Sequence, residues 1–430
     1  MNPVNAERYA SIRQFTETLA EPLSDEDCSI QSMPDASPVR WHLAHTTWFF
    51  ETFLLGSIPG YCSSHPEFEQ LFNSYYNTVG QPFPRSQRGC LSRPGMREVE
   101  DYRKRIDECV LRTLDRSELD ASQESVLETG LQHEQQHQEL ILTDIKHAFS
   151  CNPLLPTYRD SSNDLRCEER QLSWITGAEG LVTIGHDEPD FSFDNETPQH
   201  RVHLHPHQIA SRCVTNGEYL RFIEDGGYRR PELWLSMGWD AVQQNRWTCP
   251  LYWHRRSNEW QTFTLGGVTP VDPSNPVCHV SYFEADAYAR WSGHRLPTEF
   301  EWEAIATQQA ADPDEACWSD QLVSTGRLIH PQTRQSNDTE SALSDAFGNT
   351  WEWTSSQYSA FPGYVPLAGA LGEYNGKFMC NQFVLRGGSC ATPSGHIRPT
   401  YRNFFPPETR WQFTGIRLAQ SSAPADEEGR

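Results

Sequence analysis

No stretch of this sequence approaches the roughly 20 uninterrupted apolar residues that a bilayer span requires. Hydrophobic residues make up 37% of the chain and mean hydropathy is −0.66, so a soluble protein is expected. An excess of positive charge is also missing. Thirty-five Lys and Arg stand against 58 Asp and Glu, a net charge of −23, which repels phosphate backbones and anionic membrane surfaces. Nucleic acid and membranes are therefore excluded as expected partners. The start, MNPVNAERYASIRQF, has no basic segment followed by an apolar one, so no secretory signal is read and a cytoplasmic location is expected. The twelve cysteines form no C-x-x-C pair and no metal-ribbon spacing; they are expected to be free thiols, most of them buried. Internal repeats and low-complexity blocks are absent as well.

What is present divides the 430 residues into two or three domains at ordinary domain sizes. The first 150 positions read as helices. Ile12, Phe15, Thr16 and Leu19 recur at helical spacing, and Ser37-Pro38 reads as an N-cap and first-turn proline before a helix from Trp41 to Leu55. Val99, Tyr102, Ile106, Val110 and Leu114 suit a third helix. A fourth runs from about Ala121 to Phe149, with Gly130 as a weak point inside it. Four such helices predict a four-helix bundle. Between the second and third lies an irregular, aromatic-rich connection, Tyr61 to Ser92, of a length that points to function.

The pattern changes after about Ser150. Residues 151–171 are polar with Pro153 and Pro156 and read as a linker. From Leu172 to Gln420 short apolar runs, many Gly and Trp, and brief helices (Asn216 to Glu224, Tyr282 to Ser292, Glu299 to Thr307) indicate a loop-rich α+β domain. The acidic stretch 421–430 is expected to be a mobile tail.

The sharpest local signal is HEQQHQE, His133 to Glu139, within the fourth helix. Histidines four apart share a helix face, so His133 and His137 can reach one metal ion. A third ligand must come from elsewhere, and WHLAHTTWFFE in the second helix offers His42 and His45. The string also matches H-E-x-x-H, in which Glu134 would be the general base of a zinc protease. The metzincin continuation is missing, because Leu140 and Thr143 stand where Gly and His belong. The plainest alternative is two polar histidines on a bundle surface. Three neutral imidazoles would keep the ion's dipositive charge and leave open positions, an arrangement related to the facial triad of non-haem iron enzymes; by spacing alone it suits iron or zinc.

The strings VSYFEADAYARWSGHRLPTEFEWEAIA, DAFGNTWEWT, VLRGGSC and TGIRLA resemble the formylglycine-generating-enzyme-like domain, a C-type-lectin-related fold. The catalytic cysteine pair of true formylglycine generators finds no counterpart. The first 150 residues resemble the DinB-like bundle. SPVRWHLAHTTWFFETFLL, FNSYYNTVG, HEQQHQEL and YRNFFPPETRWQFTGIRLA are each similar to blocks of the sulfoxide synthases of ergothioneine biosynthesis, the EgtB family, and the resemblance spans nearly the whole chain.

That resemblance implies an iron(II)-dependent, oxygen-consuming reaction. It joins the imidazole C2 of hercynine (Nα-trimethylhistidine) to the sulfur of cysteine or γ-glutamylcysteine, and the sulfur becomes a sulfoxide. The implied iron ligands are His45, His133 and His137, which leaves His42 as a mere neighbour. A thiol substrate needs its carboxylate held, and Arg85 and Arg88 in PFPRSQRG can supply charge-assisted bonds, with Arg93 a further candidate. The trimethylammonium group calls for aromatic faces and a carboxylate. Tyr401, Asn403, Phe404 and Phe405 resemble the family segment that closes over hercynine, and Gln136 with Glu139 one turn away resembles a further contact. Forming a C–S bond rather than oxidising the thiol alone needs a proton donor at the reacting oxygen, a role suited to tyrosine. One branch of the family draws that tyrosine from the lectin-like domain, where this chain has Tyr374 in LAGALGEYNGKF. The other uses a Tyr-Tyr pair in the bundle loop, and FNSYYNTVG assigns the role to Tyr75 and Tyr76.

Other readings stay in view. A selenosugar-to-hercynine synthase shares both domains, but two loop arginines favour an amino-acid carboxylate over a neutral sugar. The ovothiol branch usually carries a further methyltransferase domain, and none is expected in this chain. From another class, the chain could be a non-catalytic lectin-like binding protein.

Overall fold

The computed structural model describes residues 3–116, 119–161, 171–333 and 343–421. Its contacts divide into two units. One holds the chain up to Arg159 together with Leu367–Tyr374; the other holds Asp160–Pro366 and the chain from Asn375 onward.

The first unit is helical. Helices α1 (Pro3–Ala20), α2 (Val39–Phe49), α3 (Phe68–Phe72), α4 (Met96–Asp115) and α5 (Ala121–Ser150) follow in order, with α1, α2, α4 and α5 forming the bundle. Helix α5 opens on a capping box in which Asp120 accepts from the Gln123 amide. Helix α2 begins at Val39 and is not capped by a side chain. Ser37 is therefore not an N-cap: its amide donates to Asp144 Oδ2 (2.7 Å) and its hydroxyl accepts from Arg88 (2.9 Å). Beyond Phe49 the helix widens into a π turn, Phe50–Leu54. Gly130 has a packing reason: a Cβ there would lie 2.5 Å from the Phe50 ring and 3.0 Å from Phe49. The missing side chain lets α2 and α5 approach where their histidines face each other.

The second unit is loop-rich α+β. Strands β1 (Trp174–Thr176), β2 (Gly180–Ile184), β3 (His200–Leu204) and β4 (His207–Ala210) precede helices α6 (Asn216–Glu224) and α7 (Ser236–Asn245). Strands β5 (Trp253–Arg256), β6 (Glu259–Thr264) and β7 (Gly267–Pro270) follow, then helices α8 (Tyr282–Trp291), α9 (Glu299–Gln308) and α10 (Ser319–Ser324). Strands β8 (Trp351–Gln357), β9 (Phe383–Arg386), β10 (Asn403–Phe405), β11 (Thr414–Gly415) and β12 (Ala419–Ser421) complete it. The largest sheet has the order β10-β9-β8-β11, with β11 parallel to β8. Trp302 and Trp318, and Trp351 and Trp353 of β8 itself, are fully buried, and the same unit holds buried ion pairs such as Arg417–Glu352 (2.7 Å) and Arg402–Glu299 (2.7 Å). Gly387, at φ 96°, brings its backbone so close to the Ala346 carbonyl that a Cβ would meet that oxygen at 2.3 Å. Helices α7 and α10 are not apparent in the sequence pattern.

Of the expected linker, residues 162–170 lie outside the described residues, as do 422–430 of the expected tail, while Ser421 pairs within β12. The described cysteines are free, but burial is a minority state. Cys28, Cys213, Cys278 and Cys390 are buried, whereas Cys62, Cys90, Cys151 and Cys380, in loops and at helix ends, are exposed. No helix among the described residues is long and apolar enough to cross a membrane.

Candidate metal centre

His45 leaves the middle of α2 between two indoles contributed by its own helix. Trp41, one turn before, stacks on it at 4.5 Å and 13°, and Trp48, one turn after, at 5.8 Å and 18°. Its Nδ1 lies 2.6 Å from the carbonyl oxygen of Phe72, the last residue of α3. A carbonyl only accepts, so Nδ1 carries the hydrogen and Nε2 is left with its lone pair. That Nε2 is 3.1 Å from Nε2 of His133. His137, one turn along α5, has its ring centroid 4.5 Å from that of His133 and 4.7 Å from that of His45. One ring nitrogen from each of the three comes within 4.8 Å of the other two, and all three residues are buried.

Burial lowers the pKa of all three imidazoles, that of His133 to about 3, and mutual repulsion adds to the effect at His45 and His137. They are neutral, with lone pairs to donate. Nitrogens bound at about 2.1 Å to one ion lie about 3.0 Å apart at a right angle and about 3.4 Å apart at a tetrahedral angle. The His45–His133 separation of 3.1 Å is nearer the first. Three neutral nitrogen donors within 4.8 Å of one another fit a divalent metal that keeps further positions open.

His42 is more than a neighbour. Its Nδ1 is 2.8 Å from Nδ1 of His137, and its Nε2 is 3.1 Å from Asp144 Oδ2.

Glu134 points away from the metal-site histidines into the bundle. Its Oε2 accepts from Arg13 (2.6 Å), and its Oε1 accepts from Arg103 (2.5 Å) and Thr16 (2.7 Å). The side chain has no exposed surface, and although burial opposes ionisation the two guanidiniums prevail and hold its pKa down to about 2. A carboxylate so engaged has no free lone pair directed at a water, so the zinc-protease reading fails. Arg13 and Arg103 are not marked by the sequence pattern, which places Thr16 only on a helix face. Their signal was positional: Tyr9, Arg13 and Thr16 share one face of α1, and Arg103 lies among the buried residues of α4.

The connection Tyr61 to Ser92 supplies more than aromatics. Tyr76 is fully buried, with its ring 4.7 Å from Tyr75 and 6.0 Å from Trp48. Tyr374 joins them from the strap Leu367–Tyr374, its ring 6.1 Å from Tyr75 and 5.8 Å from His133. Just before it, Glu373 accepts from the amides of Asn77 (3.1 Å) and Thr78 (3.0 Å) and from the Thr78 hydroxyl (2.6 Å). Burial raises the pKa of both Tyr75 and Tyr76, so the phenols keep their protons.

The candidate arginines differ. Arg88 is buried with its guanidinium 3.3 Å from the Trp41 ring, and its Nε has no hydrogen-bond partner. Arg85 is exposed and donates to the Asp35 carbonyl, and Arg93 is exposed and reaches back to Ser92 O at 3.2 Å. On α5, Gln136 is half-buried and Glu139 buried.

In the second unit, Tyr401 is buried, 5.7 Å from Trp351, with its hydroxyl 3.1 Å from His396 Nε2. Asn403, Phe404 and Phe405 form β10, opposite Leu385, Val384 and Phe383. Phe404 stacks on Tyr358 at 4.0 Å, and Asn403 Oδ1 accepts from the Phe404 amide (2.9 Å).

Residues 159–422 match the sulfatase-modifying factor enzyme 1-like domain, and residues 8–141 match the DinB superfamily. Two relatives match along nearly the whole chain, and a third over about half of it. A hercynine oxygenase of Mycobacterium tuberculosis is 31% identical over 425 residues, covering 92% of this chain and 93% of the relative. One from Mycolicibacterium thermoresistibile is 30% identical, covering 92% and 90%. Ergothioneine biosynthesis protein 1 of Schizosaccharomyces pombe is 27% identical over 54% of this chain and 28% of its own length. With the bundle, the lectin-related domain and their order shared from end to end, the chain belongs to the hercynine oxygenase family, the EgtB family of sulfoxide synthases.

Proposed function

We propose that this protein is a non-haem iron(II), O2-dependent sulfoxide synthase of ergothioneine biosynthesis, joining the imidazole C2 of hercynine to the sulfur of cysteine or γ-glutamylcysteine. The observation that carries the reading is the convergence of His45, His133 and His137, three buried neutral imidazoles within 4.8 Å. The overall change balances: the C2–H and S–H hydrogens leave as water with one oxygen atom, and the second oxygen becomes the sulfoxide. Iron(II) held by the three histidines would supply open positions and the redox chemistry with dioxygen.

The remaining work falls to side chains. Arg88, a buried cation with an unpartnered Nε, is suited to a substrate carboxylate through a charge-assisted bond. Its stacking on Trp41, which in turn stacks on His45, ties that recognition to the metal-bearing helix. Tyr75 and Tyr76, protonated and packed together, are the proton donors, and Tyr374 makes a third phenol of the same cluster. Gln136 and Glu139, on the helix that carries two ligands, are assigned to hercynine, as are Tyr401, Asn403, Phe404 and Phe405.

The test is oxygen uptake by iron(II)-loaded protein given hercynine with cysteine, then with γ-glutamylcysteine, products being identified by mass. Hercynylcysteine sulfoxide, or its γ-glutamyl form, is expected. Product only with a selenosugar would replace the thiol substrate. A protein that holds no iron(II) would instead be a binding module, and turnover unaffected by removing oxygen would overturn the oxygenase reading.

A further inference from the structure

The three imidazoles are not held alike. His45 is oriented by the Phe72 carbonyl, and Nδ1 of His133 has no hydrogen-bond partner. His137 is held by a second imidazole, and that imidazole by a carboxylate. Both intermediaries are buried, His42 at 2% and Asp144 at 4% exposure.

The chain of contacts has one consistent direction. Asp144 Oδ2 accepts the Ser37 amide at 2.7 Å and lies 3.1 Å from His42 Nε2. An ionised carboxylate only accepts, so Nε2 of His42 carries the hydrogen. A neutral imidazole has one N–H, which leaves Nδ1 of His42 bare. That bare nitrogen faces Nδ1 of His137 at 2.8 Å, so His137 must donate from Nδ1. Its Nε2 is then bare in turn and free to bind a metal. Either ring in its other tautomer would set two bare nitrogens or two N–H groups against each other. A doubly protonated His42 would force the hydrogen of His137 onto Nε2 and block ligation.

We infer that His42 and Asp144 act as a positioning pair that fixes the tautomer and ring orientation of His137 and so presents its Nε2 to the metal. Metal-binding histidines commonly give their second N–H to a carboxylate or carbonyl; here an imidazole is inserted between ligand and carboxylate. Asp144 thereby acts on the ligand from two helical turns further along α5, through His42 of α2. The inference rests on the metal reading of the three histidines.

The experiment has two readouts, neither of them turnover. In metal-free full-length protein labelled with 15N at histidine, two-bond 15N–1H spectra should show His137 as the Nδ1–H tautomer and His42 as the Nε2–H tautomer. Finding His137 as Nε2–H overturns the inference. In parallel, Co(II) is titrated into the protein against a competing chelator while its visible bands are recorded. His42→Phe should lower Co(II) affinity about 10–100-fold and shift the bands. His42→Asn, which keeps an acceptor near the position of Nδ1, should recover part of the loss. Wild-type affinity and an unchanged spectrum in His42→Phe would refute the pair while leaving the metal site standing. A wild-type protein that takes no Co(II) would remove the metal reading and the pair together. Should His42→Phe fail to fold by circular dichroism, His42→Asn and the tautomer spectrum decide.

Discussion

Arg13 and Glu134, 121 positions apart, meet in a buried ion pair of 2.6 Å whose carboxylate is the residue right after a metal-site histidine. The pair faces the opposite way from the histidine, so its role is to fasten α1 to α5. Breaking one partner of a buried pair typically costs about 3–5 kcal/mol. Glu134→Ala should therefore lower stability by several kcal/mol in urea denaturation, while the fraction that stays folded binds metal normally. Loss of metal from a fully folded variant would contradict this.

Arg88 and Arg85 share a loop but not an environment. If Arg88 holds the thiol substrate's carboxylate, Arg88→Ala should raise KM for the thiol about 10–100-fold, the range of a charged hydrogen bond worth about 1.5–3 kcal/mol. Arg85→Ala, at an exposed site bonded to a backbone carbonyl, should change it by less than about threefold. Equal effects in steady-state kinetics would merge the two roles.

The phenols are tested by product ratio. Replacing Tyr75 and Tyr76 together by Phe removes both hydroxyls with little change in packing, and sulfoxide formation should fall about 100-fold, with thiol dioxygenation rising. Tyr374→Phe measures the third phenol separately. Unchanged sulfoxide yield and no dioxygenation in the double variant would end the assignment to the pair.

Acid should weaken the metal-free protein in a defined window. His133 titrates at about 3 when folded and ordinarily near 6.5, so below pH 6.5 the unfolded chain binds a proton that the folded one refuses. Glu134, at about 2 against an ordinary 4.5, acts in the same direction between pH 4.5 and 2. Each group contributes up to about 1.4 kcal/mol per pH unit within its window. The urea midpoint should therefore fall between pH 7 and pH 5, chiefly through the histidines. A midpoint that rises instead would show that these groups are solvated in the folded state.

Much of the centre is legible as periodicity. His133 and His137 are four apart on a helix whose amphipathic pattern runs from Ala121, and the aromatic string around His45 marks a buried face. Which of His42 and His45 faces the metal is not legible, since both lie on that face; the difference is which ring nitrogen meets which acceptor, the Phe72 carbonyl for one and Asp144 for the other. Buried charges such as Arg13 and Arg103 read like surface residues until their partner appears across the bundle. Ser37 looks like a cap because its type and place are right, yet its hydrogen bonds go to α5 and the arginine loop. The identity of the bundle's last piece depends on a contact spanning some 296 positions, Asn77 to Glu373, which no local pattern encodes.

That contact makes the two units inseparable as stretches of chain. The polypeptide leaves the helical unit after Arg159, returns at Leu367 and departs again after Tyr374. Cutting at the linker would yield the three histidines without the carboxylate that clasps the Tyr75–Tyr76 loop and without the third phenol. The same holds in time: a nascent chain that has emerged only through α5 carries a metal-binding bundle whose tyrosine loop is unclasped, and residue 374 must be synthesised before that cluster can close.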